Sequence, residues 1–256
     1  MITKKDLANI WTVFKREFFA YFNSPVAYVI IVIFLLATMG FAFSFGRFLD
    51  GNNASLTQAF LTWHPWIYVV LAPAVGMRLW SEEHRLGTLE LLITMPIAPW
   101  HAVVGKYLAA AVVWFIGLAL TCPIIVTLYV LGTPDSGPII TGYIASFCYA
   151  LGCLAVTSAI SAFTRSQVVC FIVSVALCFL LTLIGMPPLV DGIRRLLPPG
   201  VPWLQNLPKA IAYLSFSDHY TEMTKGILNF RDLLYYVSVV IIGLVVTDEA
   251  LRSKRA

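Results

Sequence analysis

The chain has 256 residues, of which 59% are hydrophobic and 12% are charged, against roughly 25% charge in an average soluble domain. Its mean hydropathy is +0.84 and its formal net charge is +4. That balance excludes a soluble enzyme, a disordered tail and a nucleic-acid module, and fits an all-α, polytopic membrane protein.

Residues 4–22 come first. Leu7, Ile10, Trp11, Phe14, Phe18 and Tyr21 recur at helical spacing, and Lys4, Lys5, Lys15 and Arg16 supply a polar side. A basic amphipathic helix carrying aromatics lies in a membrane interface. It serves as a plain anchor, as an elbow that sets the angle of the next helix, or as both. Asn23-Ser24-Pro25 then makes a break, with Ser24 in N-cap position and Pro25 as a first helical residue.

Residues 18–46, 51–77, 107–134, 136–164 and 166–190 contain no Asp, Glu, Lys or Arg, and a shorter charge-free run covers 233–247. A span needs about 20 apolar residues. Six transmembrane helices are therefore expected, near 25–46, 64–81, 103–131, 139–164, 166–187 and 232–250. The apolar runs are continuous rather than alternating, which argues against a β-barrel. The first span follows a polar stretch and lacks a small-residue cleavage site, so it does not read as a signal peptide. His64 opens span 2 and reads as an interfacial residue. Cys122, Cys148, Cys153, Cys170 and Cys178 fall inside the expected spans and read as small packing residues, with no metal-ligand spacing among them.

The segment 78–101 holds Arg78, Glu82, Glu83, Arg85 and Glu90 in a chain that is otherwise poor in charge. Arg78 and Glu82 stand at i,i+4, and Glu82 and Arg85 at i,i+3, so each couple can pair on a helix surface. Gly87 ends or kinks that helix. Thr88 can cap a new one with Glu90 in its first turn, and Pro96 stops it. A short helix over 88–95, apolar through Leu89, Leu91, Leu92 and Ile93, needs a cover: the lipid surface or a soluble partner.

With six spans both termini share one side. If that side is cytoplasmic, it holds eleven Lys/Arg and seven acids, while the other side holds six of each. The whole net charge then lies on the cytoplasmic face, as the positive-inside rule requires. The loop 188–231 strains this pattern, since it carries Arg194, Arg195, Lys209, Lys225 and Arg231. With Pro187 just before it, six prolines stand between 187 and 208. It reads either as a set of short outer amphipathic helices or as a piece that re-enters the membrane.

Taken together, the segment Glu82-Glu83-His84-Arg85-Leu86-Gly87-Thr88-Leu89-Glu90-Leu91-Leu92-Ile93-Thr94-Met95-Pro96 resembles the first cytoplasmic loop of ABC-2 (type 2 exporter) permeases. Phe14-Lys15-Arg16-Glu17-Phe18, Tyr21-Phe22 and Ser24-Pro25 are similar to that family's N-terminal elbow. Gly105-Lys106, Pro134-Asp135, Ser217 with Tyr220, Lys225-Gly226-Ile227-Leu228 and Arg231-Asp232 look like its gliding-motility-associated branch. His84 stands where many relatives have Arg.

The resemblance implies a single ABC-2 transmembrane domain over 1–256. Its elbow helix would include Trp11, Phe14, Lys15, Arg16 and Phe18. Its coupling helix 88–95 would seat in a cytoplasmic ABC ATPase subunit through Glu82, Glu83, Arg85, Gly87, Thr88, Leu89, Glu90 and Leu92. It also implies outer helices that fold partly back into the membrane over 188–231, a second permease protomer (homo- or heterodimer), and a bacterial inner membrane with both termini cytoplasmic. The loop charges contact the ATPase or only hold the loop together; both readings stand.

No Gly-x-x-x-x-Gly-Lys-Ser/Thr loop occurs, so ATP hydrolysis is expected in a separate subunit. No cofactor, metal, nucleic-acid partner or catalytic set is expected. No acid, base or cation sits near the middle of any expected span, which argues against a proton- or sodium-coupled secondary transporter. A non-transporting scaffold subunit of an ABC-linked motility or assembly complex is the alternative.

Overall fold

The computed structural model describes residues 3–46, 60–89, 97–132, 134–196 and 212–253. All regular structure among the described residues is helical. Helix α1 runs Lys4–Asn23 and begins on a capping box, in which Thr3 and Asp6 each accept from the other's backbone amide. Ser24 then separates it from α2, Pro25–Ser44. Ser24 is the N-cap of α2, yet its hydroxyl turns back to donate to Tyr21 O of α1 at 3.3 Å.

A single 3-10 turn, Leu61–Trp63, leads into α3, His64–Gly76, and α4, Arg78–Leu86. Then come α5 (Pro99–Ala119), α6 (Pro123–Leu131), α7 (Ser136–Phe163) and α8 (Gln167–Leu183). The chain closes with α9 (Pro187–Leu196), α10 (Phe216–Met223) and α11 (Phe230–Arg252).

Four stretches are long and apolar enough to cross a membrane: Pro25–Ser44, Pro99–Val130, Ser136–Phe163 and Phe230–Arg252. This is a multi-pass membrane protein. Two expected spans differ from a plain rod. The span expected over 64–81 is broken at Met77 into α3 and α4, so neither half reaches spanning length. The span expected over 103–131 starts earlier, at Pro99, and changes from α5 to α6 through a turn at Leu120–Cys122. Pro123, which has no amide hydrogen to donate, takes the first turn of α6. The fifth expected span corresponds to α8, apolar but 17 residues long.

Helix α7 is the axis of the packing. It touches α3, α4, α5, α8, α10 and α11. Apolar helices in lipid gain little from hydrophobic association, so close approach through small residues and side-chain hydrogen bonds must hold them. Gly243 shows this: a Cβ there would stand 2.8 Å from Ala155 O and 2.9 Å from Ala155 C, so α11 lies backbone to backbone against α7. Large aromatics fill the remaining space, and their hydroxyls find partners. Tyr236 donates to Phe216 O at 2.8 Å, Tyr107 to Leu151 O at 2.8 Å, and Tyr149 meets Thr182 Oγ1 at 2.5 Å.

A first polar network gathers near Ser146 of α7. His64 is fully buried there, with Nδ1 at 2.8 Å from Ser146 Oγ, rather than at an interface. Tyr220 of α10 stands 3.2 Å from the same Ser146 hydroxyl and donates to Leu61 O at 2.6 Å. Beside it His219, stacked on Tyr235 at 3.9 Å, meets buried Asp232 at 2.7 Å and Tyr213 O at 3.0 Å. A cavity of about 680 Å³ opens between α9, α10 and the start of α11.

All five cysteines are free. Cys153, Cys170 and Cys178 are buried, whereas Cys122 is exposed at the α5–α6 turn.

Candidate functional site

A second polar network lies about 22 Å further along α7, taking 1.5 Å per residue from Ser146 to Ser161. It begins at the Met77 break. A new helix start leaves amide hydrogens without partners, and no side chain at Met77 caps α4. Ser161 of α7 fills that role. Its hydroxyl accepts from Trp80 N at 3.1 Å and Ser81 N at 3.0 Å, and donates to Met77 O at 3.1 Å. Ser81 Oγ also donates to Met77 O. Trp80, fully buried, donates from Nε1 to Ser158 Oγ at 3.3 Å, and Ser158 meets Thr247 of α11 at 3.3 Å. His84 Nε2 donates to Ala162 O at 3.0 Å. Helix α4 is thereby bolted along the end of α7 rather than hanging from a flexible loop.

Lys106 of α5 joins this helix to α1. It is 4% exposed. Its ammonium sits 2.7 Å from Glu83 Oε1 and 3.6 Å from Glu17 Oε1, donates to Leu79 O at 3.2 Å, and lies 5.1 Å above the Trp80 ring. Arg16 pairs with Glu17 at 2.7 Å. One buried cation thus ties α1, α4 and α5 together. Next to it α1 crosses α5 at Gly105, where a Cβ would stand 2.9 Å from Val13 Cβ and 3.1 Å from Ile10 O. His101 of α5 meets Asp6 of α1 at 3.0 Å. The Thr3 amide and hydroxyl, then His101, hold the Asp6 carboxyl below the usual carboxylate range.

The expected site residues are not all brought to one surface, and Glu82 is half-buried. Glu83 faces inward to Lys106, and neither Arg78 with Glu82 nor Glu82 with Arg85 forms the ion pair that helical spacing allows. Arg85, Gly87 and Thr88 are exposed, and Gly87 ends α4 in the left-handed region at φ 71°. Leu89 is 5% exposed and belongs to the main core, so this leucine is covered by the protein itself. Glu90 and Leu92 lie outside the described residues, as does 90–95 of the expected short helix.

On α1, Trp11, Phe14 and Phe18 form an aromatic ladder with centroids 5.2 and 5.8 Å apart. Trp11 is 63% exposed, and Lys15 and Arg16 are exposed. Only Val13 of this helix is buried.

Sequence reasoning did not single out Lys106, Glu17, Ser158 or Ser161 as parts of one site. A lone Lys ahead of an apolar run and a serine inside one carry little signal until the fold brings them together. It also passed over Leu86, which is 62% exposed at the tip of α4.

What this arrangement offers is mechanical: a braced helix that ends in an exposed turn. The family model described as ABC-2 family transporter protein matches residues 11–247. The chain belongs to the ABC-2 transporter family. No curated protein matches it. The matched range takes in most of α1, the braced α4 and most of α11, so membership rests on the whole helical body and not on the loop alone.

Proposed function

We propose that this ABC-2 family member is the permease subunit of an ATP-driven exporter. A separate cytoplasmic ABC ATPase subunit would drive it through the tip of α4 and the segment that follows. The observation that carries this reading is the braced helix ending in an exposed turn, Arg85–Thr88, on a family member without a phosphate-binding loop of its own. Closure of an ATPase dimer would push on that turn. The bolts to Ser161, Ser158 and Lys106 would pass the push to α7, α11 and α1 as a rigid-body movement.

In this reading α1 is the elbow. The α3–α4 unit and α8 complete six spans with the four long ones, and both termini face the cytoplasm of a bacterial inner membrane. Helices α9 and α10 belong to the outer region between spans 5 and 6. Two protomers face each other across the translocation route. The gliding-motility-associated branch is the resemblance we favour within the family, on Ser217, Tyr220 and Arg231-Asp232.

The test is single replacement of Leu86 by Asp, Gly87 by Val and Glu90 by Lys, with co-purification of the ATPase subunit and its stimulated ATP turnover as readouts. Loss at two of the three positions is expected. Unchanged association and turnover for all three would sink the lever. Substrate-stimulated ATPase in liposomes separates an exporter from a non-transporting scaffold.

A further inference from the structure

A cavity of about 130 Å³ lies where α1 turns into α2, against α4. Its polar walls are Glu17, Tyr21, Ser24, Arg78, Glu82 and Lys106. Opposite charges at i,i+4 on one helix are within reach of each other. Here Arg78 and Glu82 instead open into the same cavity, and neither has an ion-pair partner within 4.0 Å among the described residues. Arg78 Nε is buried without a hydrogen bond.

Lys106 and Glu17 are already committed, to each other, to Glu83 and to Arg16. The unspent groups around the cavity are therefore one guanidinium, one carboxylate and the Tyr21 phenol. Burial, with Glu17 second, pushes that phenol's pKa up, so it remains a hydrogen-bond donor.

An anion alone would meet Glu82, and a cation alone would meet Arg78. A zwitterion satisfies both. The apolar side of the site says what the zwitterion carries. Val26 lines the cavity. Val29, Ile33 and Leu36 follow it at i+3, i+7 and i+10 on the same face of α2, and are 52%, 46% and 69% exposed. That stripe runs about 15 Å up the helix from Val26, roughly half the hydrocarbon core.

We propose that this cavity binds the headgroup of an aminophospholipid of the phosphatidylethanolamine class, with its phosphate on Arg78 and Tyr21, its ammonium on Glu82, and an acyl chain along Val29, Ile33 and Leu36. The bound lipid fills the joint between α1, α2 and α4. The site goes beyond the ATPase-driven reading and does not depend on it.

The experiment uses the full-length chain purified in detergent, without any ATPase subunit, and reads lipid adducts by native mass spectrometry. Phosphatidylethanolamine, phosphatidylglycerol, phosphatidylcholine and soluble phosphoethanolamine are titrated separately and in competition. Wild type is expected to retain phosphatidylethanolamine over the other three.

Arg78→Gln should weaken retention of phosphatidylethanolamine about tenfold or more, since a charge-assisted bond to phosphate is lost. Glu82→Gln should remove the preference for phosphatidylethanolamine over phosphatidylglycerol. Equal retention of the phospholipids by wild type overturns the proposal, and that arm needs no variant to fold. Folded Arg78→Gln and Glu82→Gln proteins that bind as wild type does also overturn it. Phosphoethanolamine binding as tightly as the whole lipid overturns the lipid as the source.

Discussion

Replacing Lys106 by Met tests the brace directly. The side chain is 5% exposed, and its ammonium is shared between Glu83, Glu17 and Leu79 O. Met fills a similar volume, so packing on Trp80 is largely kept and the loss is electrostatic. Removing one partner of a buried pair costs roughly 3–5 kcal/mol, because the remaining charge is left without compensation. Glu83 and Glu17 keep 17% and 19% exposure, so water relieves part of that cost. The expected destabilisation is about 3 kcal/mol, at the low end of that range.

Thermal unfolding in detergent micelles, followed by tryptophan fluorescence, suits the site because Trp80 lies 5.1 Å below the ammonium. The sharper measurement is the cycle with Glu83→Gln. The double variant no longer buries an unpaired carboxylate at position 83, so it should be more stable than Lys106→Met alone, with a coupling of about 2 kcal/mol. A coupling below about 0.5 kcal/mol, the scatter of independent sites, would refute the brace.

Ser161→Ala leaves the Trp80 and Ser81 amides without their acceptor; the expected cost is about 2 kcal/mol, with faster hydrogen exchange at those two amides as the local readout. Gly105→Ala places a Cβ 3.1 Å from Ile10 O, which is backbone and cannot rotate away. It should cost about 1–3 kcal/mol and raise protease cleavage at Lys15 and Arg16, and Val13→Ala should recover part of the loss. Asp6 gives a pH dependence. Its carboxyl is held below its ordinary 3.8 by Thr3 first and then His101. Its contribution is therefore complete above about pH 4 and fades as the pH falls through the lowered folded value. The stability difference between wild type and Asp6→Asn should shrink as the pH falls below about 4; a difference that grows between about pH 4 and about pH 2 contradicts the capping role.

The all-helical membrane class was legible because charge-free runs of span length follow from composition and spacing alone. So was the stop at Gly87, since a glycine after a polar helical turn is the cheapest left-handed cap. The break at Met77 was not. No proline or glycine stands at 77 itself, and the pattern from 64 to 81 reads as one span. The break depends on Ser161, 84 residues away, accepting two amides that a continuous helix would have satisfied internally. The inward turn of Glu83 is hidden for the same reason. By spacing, Glu82 has Arg78 and Arg85 as local partners, yet the long-range partner Lys106 takes Glu83 instead. The apolar stretch from Leu89 asks for a cover of lipid or partner, and only the fold shows that the protein's own core covers Leu89.

These long-range contacts bear on the two readings of the loop charges. A charged residue that only steadies its own loop would pair within that loop. Glu83 pairs outside it, with a lysine that also touches α1, and Ser161 and Ser158 pin the same short helix to α7 and, through Thr247, to α11. Glu83 is therefore a brace inside the protein, and in the proposed reading the docking surface is the exposed Arg85, Leu86, Gly87 and Thr88. This division makes a prediction that neither simple reading makes. Glu83→Gln should lower stability and loosen α1 while leaving a folded tip, so that binding of an ATPase subunit persists but its stimulated turnover falls. Leu86→Asp should leave stability unchanged within about 0.5 kcal/mol, as expected for an exposed position, and abolish binding. Loss of binding in both, or in neither, would show that brace and surface are not separate parts of the helix.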